Sequence, residues 1–173
     1  MKYTSEIFQR LSNGKFISAN SIDPMSHAIF LDLEEHQQEY ADYYAQIDFQ
    51  LCAGDGYFYF SRKEQKITVE NKLQGLLPWI DNLDFLKAYD TSFDVGTQFN
   101  LAQMEVQLGA NLELKDKLQN IFPDKVSNHD KLEALVASLV GMGFAEEVNE
   151  IEGLYQVTSA FHYRENIIDC INM

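Results

Sequence analysis

A chain of 173 residues, 46% of them apolar and 13% aromatic, has material for one ordinary domain or for two small modules with cores of their own. Its formal net charge of −14 argues against a DNA binder of the usual kind, because Lys and Arg on phosphates supply most non-specific nucleic-acid affinity, and it suits a basic protein partner better. No apolar run approaches the roughly 20 residues of a membrane span, and the opening MKYTSEIFQRL lacks a secretory h-region, so the chain is expected in the cytosol.

The acidity runs the whole length. Residues 1–62, 63–127 and 128–173 carry 4, 7 and 2 basic side chains against 9, 10 and 8 acidic ones, so the two ends are the most lopsided. Cys52 and Cys170 form no C-x-x-C pair and lie far apart. They read as separate thiols in a reducing compartment.

In chain order, the first helix is expected over about Thr4 to Ser12, with Ile7, Phe8 and Leu11 on one side and Asn13-Gly14 as its stop. A brief extended piece, KFISA, follows. Asp23-Pro24 then sets a capping oxygen before a proline at the first helical position. The helix it opens is expected to run to about Gln46, because Ile29, Leu33, His36, Tyr40, Tyr44 and Ile47 recur at three- and four-residue steps and form one apolar stripe. Next comes FQLCAGDGYFYFSR, two strand-forming runs joined by Ala-Gly-Asp-Gly, where Gly54 and Gly56 can take positive φ on either side of Asp55. Helix, short strand, helix and hairpin is the order of a winged-helix module, with residues 48–62 as its wing.

Residues 63–77 carry no strong pattern and read as a linker. From Trp79 to about Tyr89 a helix is expected, with Ile80, Leu83, Leu86 and Ala88 inward, and FNLAQMEVQLGANL carries a second. Ser127-x-x-Asp130 has the side-chain pattern of a capping box, and Leu132, Leu135, Val136, Leu139 and Val140 have the spacing of an amphipathic helix that ends at Gly141 and Gly143. Phe144–Val148 and Leu154–Thr158 pair around EIEG as a second hairpin, and Ser159 to Ile171 closes the chain as a helix. The expected fold class is therefore α+β, mostly α: two tandem winged-helix modules over 1–62 and 78–173, each with a small β-hairpin wing.

The block from Gly14 to Arg62, with G-K-F-I, HAIFLDLEEHQQEYADYYAQIDFQL and GYFYFSR, resembles the N-terminal winged helix of the MukE and MksE family, small subunits of bacterial condensin complexes. The likeness includes His27-Ala28 entering the helix, an acidic and aromatic helix body, and a glycine followed by aromatics on the returning strand. DKLEALVASLVGMGF and YQVTSAFHYREN resemble that family's last helix, wing and closing segment. What the resemblance implies is a subunit that dimerises, binds the kleisin (MukF/MksF-like) chain, and through it joins an SMC-type ATPase in a MukBEF/MksBEF-like complex. Such a complex acts in chromosome condensation and segregation or in plasmid exclusion. The chain has no G-x-x-x-x-G-K-[ST] phosphate loop, which fits ATP chemistry belonging to the partner. One departure matters. In better-studied members the helix matching Asp130–Met142 is basic and lines a DNA-facing groove, whereas here it carries only Lys131, and the following wing carries Glu146, Glu147, Glu150 and Glu152. The subunit role carries over and the DNA contacts do not, so DNA is expected only indirectly or weakly.

Asp32, Glu35, Glu39 and Asp42 stand at steps of three, four and three, an acidic stripe opposite the apolar one. It reads as a solvated face or as a docking surface for a basic partner segment. Alternation sends Tyr57 and Tyr59 to one face of the returning strand and Phe58 and Phe60 to the other. Exposed aromatics on a small module are typical interface anchors, so the expected partner-binding set is Asp32, Glu35, Glu39, Asp42, Tyr43, Tyr57 and Tyr59. A stacking surface for single strands competes with this and lacks a basic groove. His36 beside Glu35 and Glu39 lacks a facing Glu-x-x-His cluster, so no metal is expected. Ser5, Ser12, Ser127 and Ser159 sit where capping explains them, and no G-x-S-x-G elbow or activated cysteine is visible. No enzyme activity and no cofactor are therefore expected. The alternative reading is a dimeric winged-helix transcription regulator, for which only Lys63, Lys66 and Lys72 offer a basic face.

Overall fold

The structure, a computed structural model, describes residues 1–61 and 66–172, with the side chains of 66–73 and 169–172 outside the description. Arg62, Lys63 and the side chains of Lys66, Lys72 and Cys170 thus lie outside the described residues. The protein is α+β and mostly helical.

In the first half, α1 (Thr4–Ser12) is followed by β1 (Ile17–Ser18), α2 (Pro24–Glu35), α3 (Gln37–Ala45) and the hairpin of β2 (Gln50–Gly54) with β3 (Tyr57–Ser61). All strand pairs are antiparallel, in the order β1-β3-β2. Gly14 at φ 75° ends the turn after α1. Asp23 caps α2 by accepting from the Ser26 N–H at 3.0 Å, with Pro24 in the first turn, an arrangement worth about 1 kcal/mol.

The single helix expected up to Gln46 is two. His36, at φ −119° and ψ 30°, separates α2 from α3. A straight helix would set residues 32 and 40 roughly 12 Å apart along its axis, yet the Tyr40 hydroxyl donates to the Asp32 carboxylate. The bend also carries Tyr40 and Tyr44 over the start of α1, where the Tyr3 N–H donates to the Tyr40 oxygen (3.1 Å) and the Tyr44 hydroxyl donates to the Thr4 carbonyl (2.7 Å). These tertiary bonds outweigh continuous helical periodicity.

In the second half, α4 (Lys66–Tyr89) leads to β4 (Gln98–Asn100), α5 (Leu101–Ala110), α6 (Leu112–Gln119), α7 (Asn128–Gly141), β5 (Ala145–Asn149), β6 (Leu154–Val157) and α8 (Phe161–Asn172). The strand order is β4-β6-β5, the counterpart of the first sheet. Helix α4 begins well before Trp79 and takes in most of the stretch expected as a linker. Pro78 lies inside it, and Leu76 and Trp79 on either side of the proline are both buried in one core. Strand β4 and helix α6 were not expected from the sequence. The Ser127 side chain accepts from the Asp130 N–H at 3.0 Å and so caps α7, while Gly143 at φ 82° turns the chain after it.

Two cores result. One joins Ile7, Leu11, Ile29, Leu33, Tyr40 and Tyr44 with Phe58, and the other joins the second-half helices and strands with Tyr57. Neighbours on β3 thus serve different cores, because successive side chains of a strand point to opposite faces. Of the two hairpin glycines only Gly56 has positive φ, at 78°. Gly54 is needed for another reason: the Tyr57 ring lies where its Cβ would stand.

Candidate protein-interaction surfaces

The expected acidic stripe divides. Asp32 is buried, at 7% exposure, and belongs to the fold. Its carboxylate accepts from the Tyr40 hydroxyl and from the Lys2 N–H (2.9 Å). Burial alone would raise its pKa, but these bonds hold it below the ordinary carboxylate value. The same desolvation and the anionic neighbour push the Tyr40 hydroxyl up to about 12. His36 shares the arrangement, its Nδ1 lying 3.1 Å from the Asp32 carbonyl and 3.4 Å from its carboxylate. Helical spacing groups Asp32 with Glu35, and what buries Asp32 is the Tyr40 hydroxyl that the bend at His36 brings over it, together with the Lys2 N–H.

Glu35, Glu39 and Asp42 are exposed. Asp42 accepts from the Gln38 amide at 2.8 Å. Tyr43 is 46% exposed and packs edge-on against Tyr44 with ring centres 5.3 Å apart. Beside it a shallow cleft of about 270 Å³ is lined by Thr4, Ser5, Phe8, Tyr43 and Ile47, and Ile47, expected within the apolar stripe, is 48% exposed. The first half therefore offers one outward surface in which carboxylates adjoin an aromatic and an aliphatic side chain.

Tyr57 and Tyr59 face inward, toward the second half. Tyr57 is 5% exposed and Tyr59 half-buried, and both rings gather with Phe16 (5.9 Å to each) and Tyr163 (6.3 and 4.9 Å). Phe16 also meets Phe144 at 5.5 Å, and burial pushes the Tyr59 hydroxyl up to about 12. The partner that covers this aromatic face is the same chain. Polar bonds reinforce the junction. Asn20 accepts from the Ser159 N–H (2.7 Å) and hydroxyl (3.0 Å) and donates to the Val157 carbonyl (3.0 Å). Glu146 accepts from the Ser21 hydroxyl (2.7 Å) and the Ile22 N–H (2.9 Å), so one of the four wing glutamates is already engaged.

Lys131, the one Lys or Arg of α7, is 4% exposed. Its Nζ donates to the carbonyls of Ile121 (2.7 Å), Phe122 (3.3 Å) and Gln119 (3.5 Å), at the electronegative end of α6. No phosphate can reach it. Next to it, α5, α7 and the second hairpin enclose an open groove of about 890 Å³, with Ala134, Val136, Ala137, Val140 and Tyr155 in its wall and Asp130, Glu133 and Glu147 at its rim. Burial raises the Tyr155 hydroxyl pKa, and the adjacent Glu147 and Glu133 charges add to it.

Among the described residues, the group with metal-ligating geometry is Asp94, His162 and Glu165, whose ligand atoms lie within 4.8 Å of one another. They are occupied with each other and with Lys87: His162 Nε2 is 2.9 Å from Asp94, and Lys87 is 3.1 Å from Glu165. Asp94 would be raised by burial, but the Val95 N–H and His162 hold it low. His162-x-x-Glu165 is a helical spacing visible in the sequence, whereas Asp94 joins it only through the fold.

These features define a mostly helical α+β protein whose conspicuous surfaces are acidic and apolar. The sequence model of the condensin complex protein MksE matches residues 2–168, almost the whole chain, and the protein belongs to this MukE/MksE family of SMC-complex proteins. No curated protein matches the chain. No helix among the described residues is long and apolar enough to cross a membrane.

Proposed function

We propose that this chain is a non-catalytic, dimeric subunit of a bacterial condensin, a pair of tandem winged-helix modules that holds a kleisin chain and through it joins an SMC-type ATPase. The observation that carries the reading is the family match over residues 2–168. The repeated order of helix, strand, helices and hairpin, with the returning strand central in both sheets, supports the winged-helix assignment, in which α6 is an addition to the second module. In this reading residues 1–62 and 78–173 are the modules, residues 63–77 connect them, and the protein works in the cytoplasm at the nucleoid, in chromosome condensation and segregation or in plasmid exclusion. The kleisin-facing surface comprises Glu35, Glu39, Asp42 and Tyr43, which α2 and α3 expose together. Asp32 supports it from inside the fold, while Tyr57 and Tyr59, grouped with it in the expected partner-binding set, pack against the second half.

A transcription regulator reading DNA through α7 would need cations there, and the burial of Lys131 and the acidic rim beside it weigh against that alternative. The test is size-exclusion chromatography with light scattering, on the protein alone and with its kleisin after co-expression. A dimer that moves into a larger defined complex, and fails to do so as Glu39→Lys/Asp42→Lys or Tyr43→Ala, supports the reading. An unshifted peak, or retardation of duplex DNA with a salt slope of several phosphates, overturns it.

A further inference from the structure

We propose that the groove between α7 and the second hairpin is a docking site for a partner segment carrying aliphatic side chains flanked by Lys or Arg. It shares no residue with the α2–α3 surface and goes beyond the kleisin-binding role assigned to that surface.

The wall is apolar because α7 presents small side chains outward. Ala134, Ala137 and Gly141 follow at steps of three and four, so they share one helix face, and a Cβ placed on Gly141 meets open space. Val140, 39% exposed, and Tyr155 flank that strip. A volume of about 890 Å³ lies within the roughly 300–1,000 Å³ of small-molecule sites, but the groove is open rather than enclosed, a shape suited to a chain laid along α7. Its charge selects the occupant. Asp130 and Glu133 stand on one side and Glu147 on the other, against Lys125 alone among the lining cations; of the bases of the helix, His129 is taken up between Glu105 and Glu133 and Lys131 is turned inward under α6. An acidic rim around an apolar floor complements a basic segment with an aliphatic anchor and repels phosphates and acidic chains. Beyond Glu147 the groove meets the junction of the two halves, where Glu146 is held by Ser21 and Ile22; at the rim Glu133 lies 3.8 Å from His129 and Glu147 bonds the Tyr155 hydroxyl, so the lining keeps an excess of negative charge over Lys125.

The experiment uses the intact protein and a fluorescein-labelled amphipathic peptide of leucine and lysine, followed by anisotropy. Its companions are the same peptide with leucines replaced by serine, a leucine–glutamate peptide, and a labelled DNA duplex. Saturable binding of the leucine–lysine peptide is expected, weakened by about tenfold or more in Glu133→Lys/Glu147→Lys and in Ala137→Trp, which fills the groove without changing charge. The charge-matched Glu113→Lys/Asp116→Lys on exposed α6 positions is expected to bind within about twofold of the parent. The serine peptide should bind at least about tenfold more weakly. Glu133→Gln/Glu147→Gln, checked by circular dichroism, serves if the lysine pair misfolds. Equal losses in the two lysine pairs would reduce the effect to diffuse charge and overturn the proposal. So would unchanged binding to Ala137→Trp, preference for DNA or the acidic peptide, or no saturable binding up to about 1 mM, where complexes contribute only about 4 kcal/mol. None of these results depends on whether the kleisin complex forms.

Discussion

Asn20 is the side chain whose removal should most directly loosen one half of the molecule from the other. It lies in the short segment after β1 and makes three hydrogen bonds to the end of β6 and the turn that follows it: two accepted from Ser159 and one donated to the Val157 carbonyl. Each such bond contributes about 0.5–1.5 kcal/mol net. Asn20 is half-buried while Ser159 is buried, so water replaces part of what Asn20→Ala removes, and the expected loss is about 2 kcal/mol. For a chain of this size that lowers the melting temperature by about 4–8 °C. Asn20→Asp is the sharper variant, because it keeps an oxygen for Ser159 and sets a second, charged one against the Val157 carbonyl. It should destabilise at least as much as alanine. The assay pairs calorimetry, which reads the whole chain, with the emission of Trp79, the single tryptophan, which is buried in the second core. If Asn20 couples the halves, its loss also broadens the calorimetric transition relative to the tryptophan transition. A melting point for both variants within about 1 °C of the parent would refute the reasoning, as that is the range of a surface change touching nothing.

Further outcomes follow from the same contacts. Lys131→Met should lower stability by about 2–3 kcal/mol in urea denaturation, because three carbonyls lose a charged donor, and should leave DNA retardation unchanged, since the ammonium does not face solvent. Tyr40→Phe should cost about 1–3 kcal/mol at neutral pH by depriving buried Asp32 of its hydroxyl donor. Asp32 has a folded pKa held below its ordinary value, so its stabilisation is present above about pH 4 and is lost as pH falls through the folded value. Tyr40 is raised from 10.0 to about 12, so its contribution is complete below about pH 10 and disappears as pH rises toward 12. Denaturant midpoints measured between these values should decline in the parent and decline less in Tyr40→Phe. Gly56→Ala places a Cβ at φ 78° within 3.1–3.2 Å of the Ser159 side chain, which should cost about 1–2 kcal/mol from the left-handed backbone alone and register as a lower melting temperature.

Much of the architecture is written in local chemistry. Asp23-Pro24 and Ser127-x-x-Asp130 start helices because a side-chain oxygen satisfies an amide that the helix leaves free, and Gly14 and Gly143 follow helices because left-handed backbone suits glycine. The strands around Asp55-Gly56 follow from alternation and a two-residue turn. Strand β4 left no such mark, since three residues, the last of them the cap Asn100, are too few for a period to show. The start of α4 was concealed by Pro78, which reads locally as a first-turn residue and is carried inside the helix by the burial of Leu76 and Trp79 on both sides.

The surfaces divide on a single physical ground. Spacing along one helix or strand sets which side chains share a face, and so Glu39, Asp42 and Tyr43, and likewise Tyr57 with Tyr59, were grouped from the sequence. Which way a face looks depends on elements distant in the chain. The second half of the protein covers the Tyr57–Tyr59 face, the bend at His36 brings Tyr40 over Asp32 and buries it, and the end of α6 draws Lys131 away from solvent. Net acidity, helix caps, hairpins and the family resemblance belong to the sequence by itself, because each rests on neighbours within a few residues or on composition. Burial and charge pairing were decided by the tertiary structure, because desolvation acts between residues that only folding brings together.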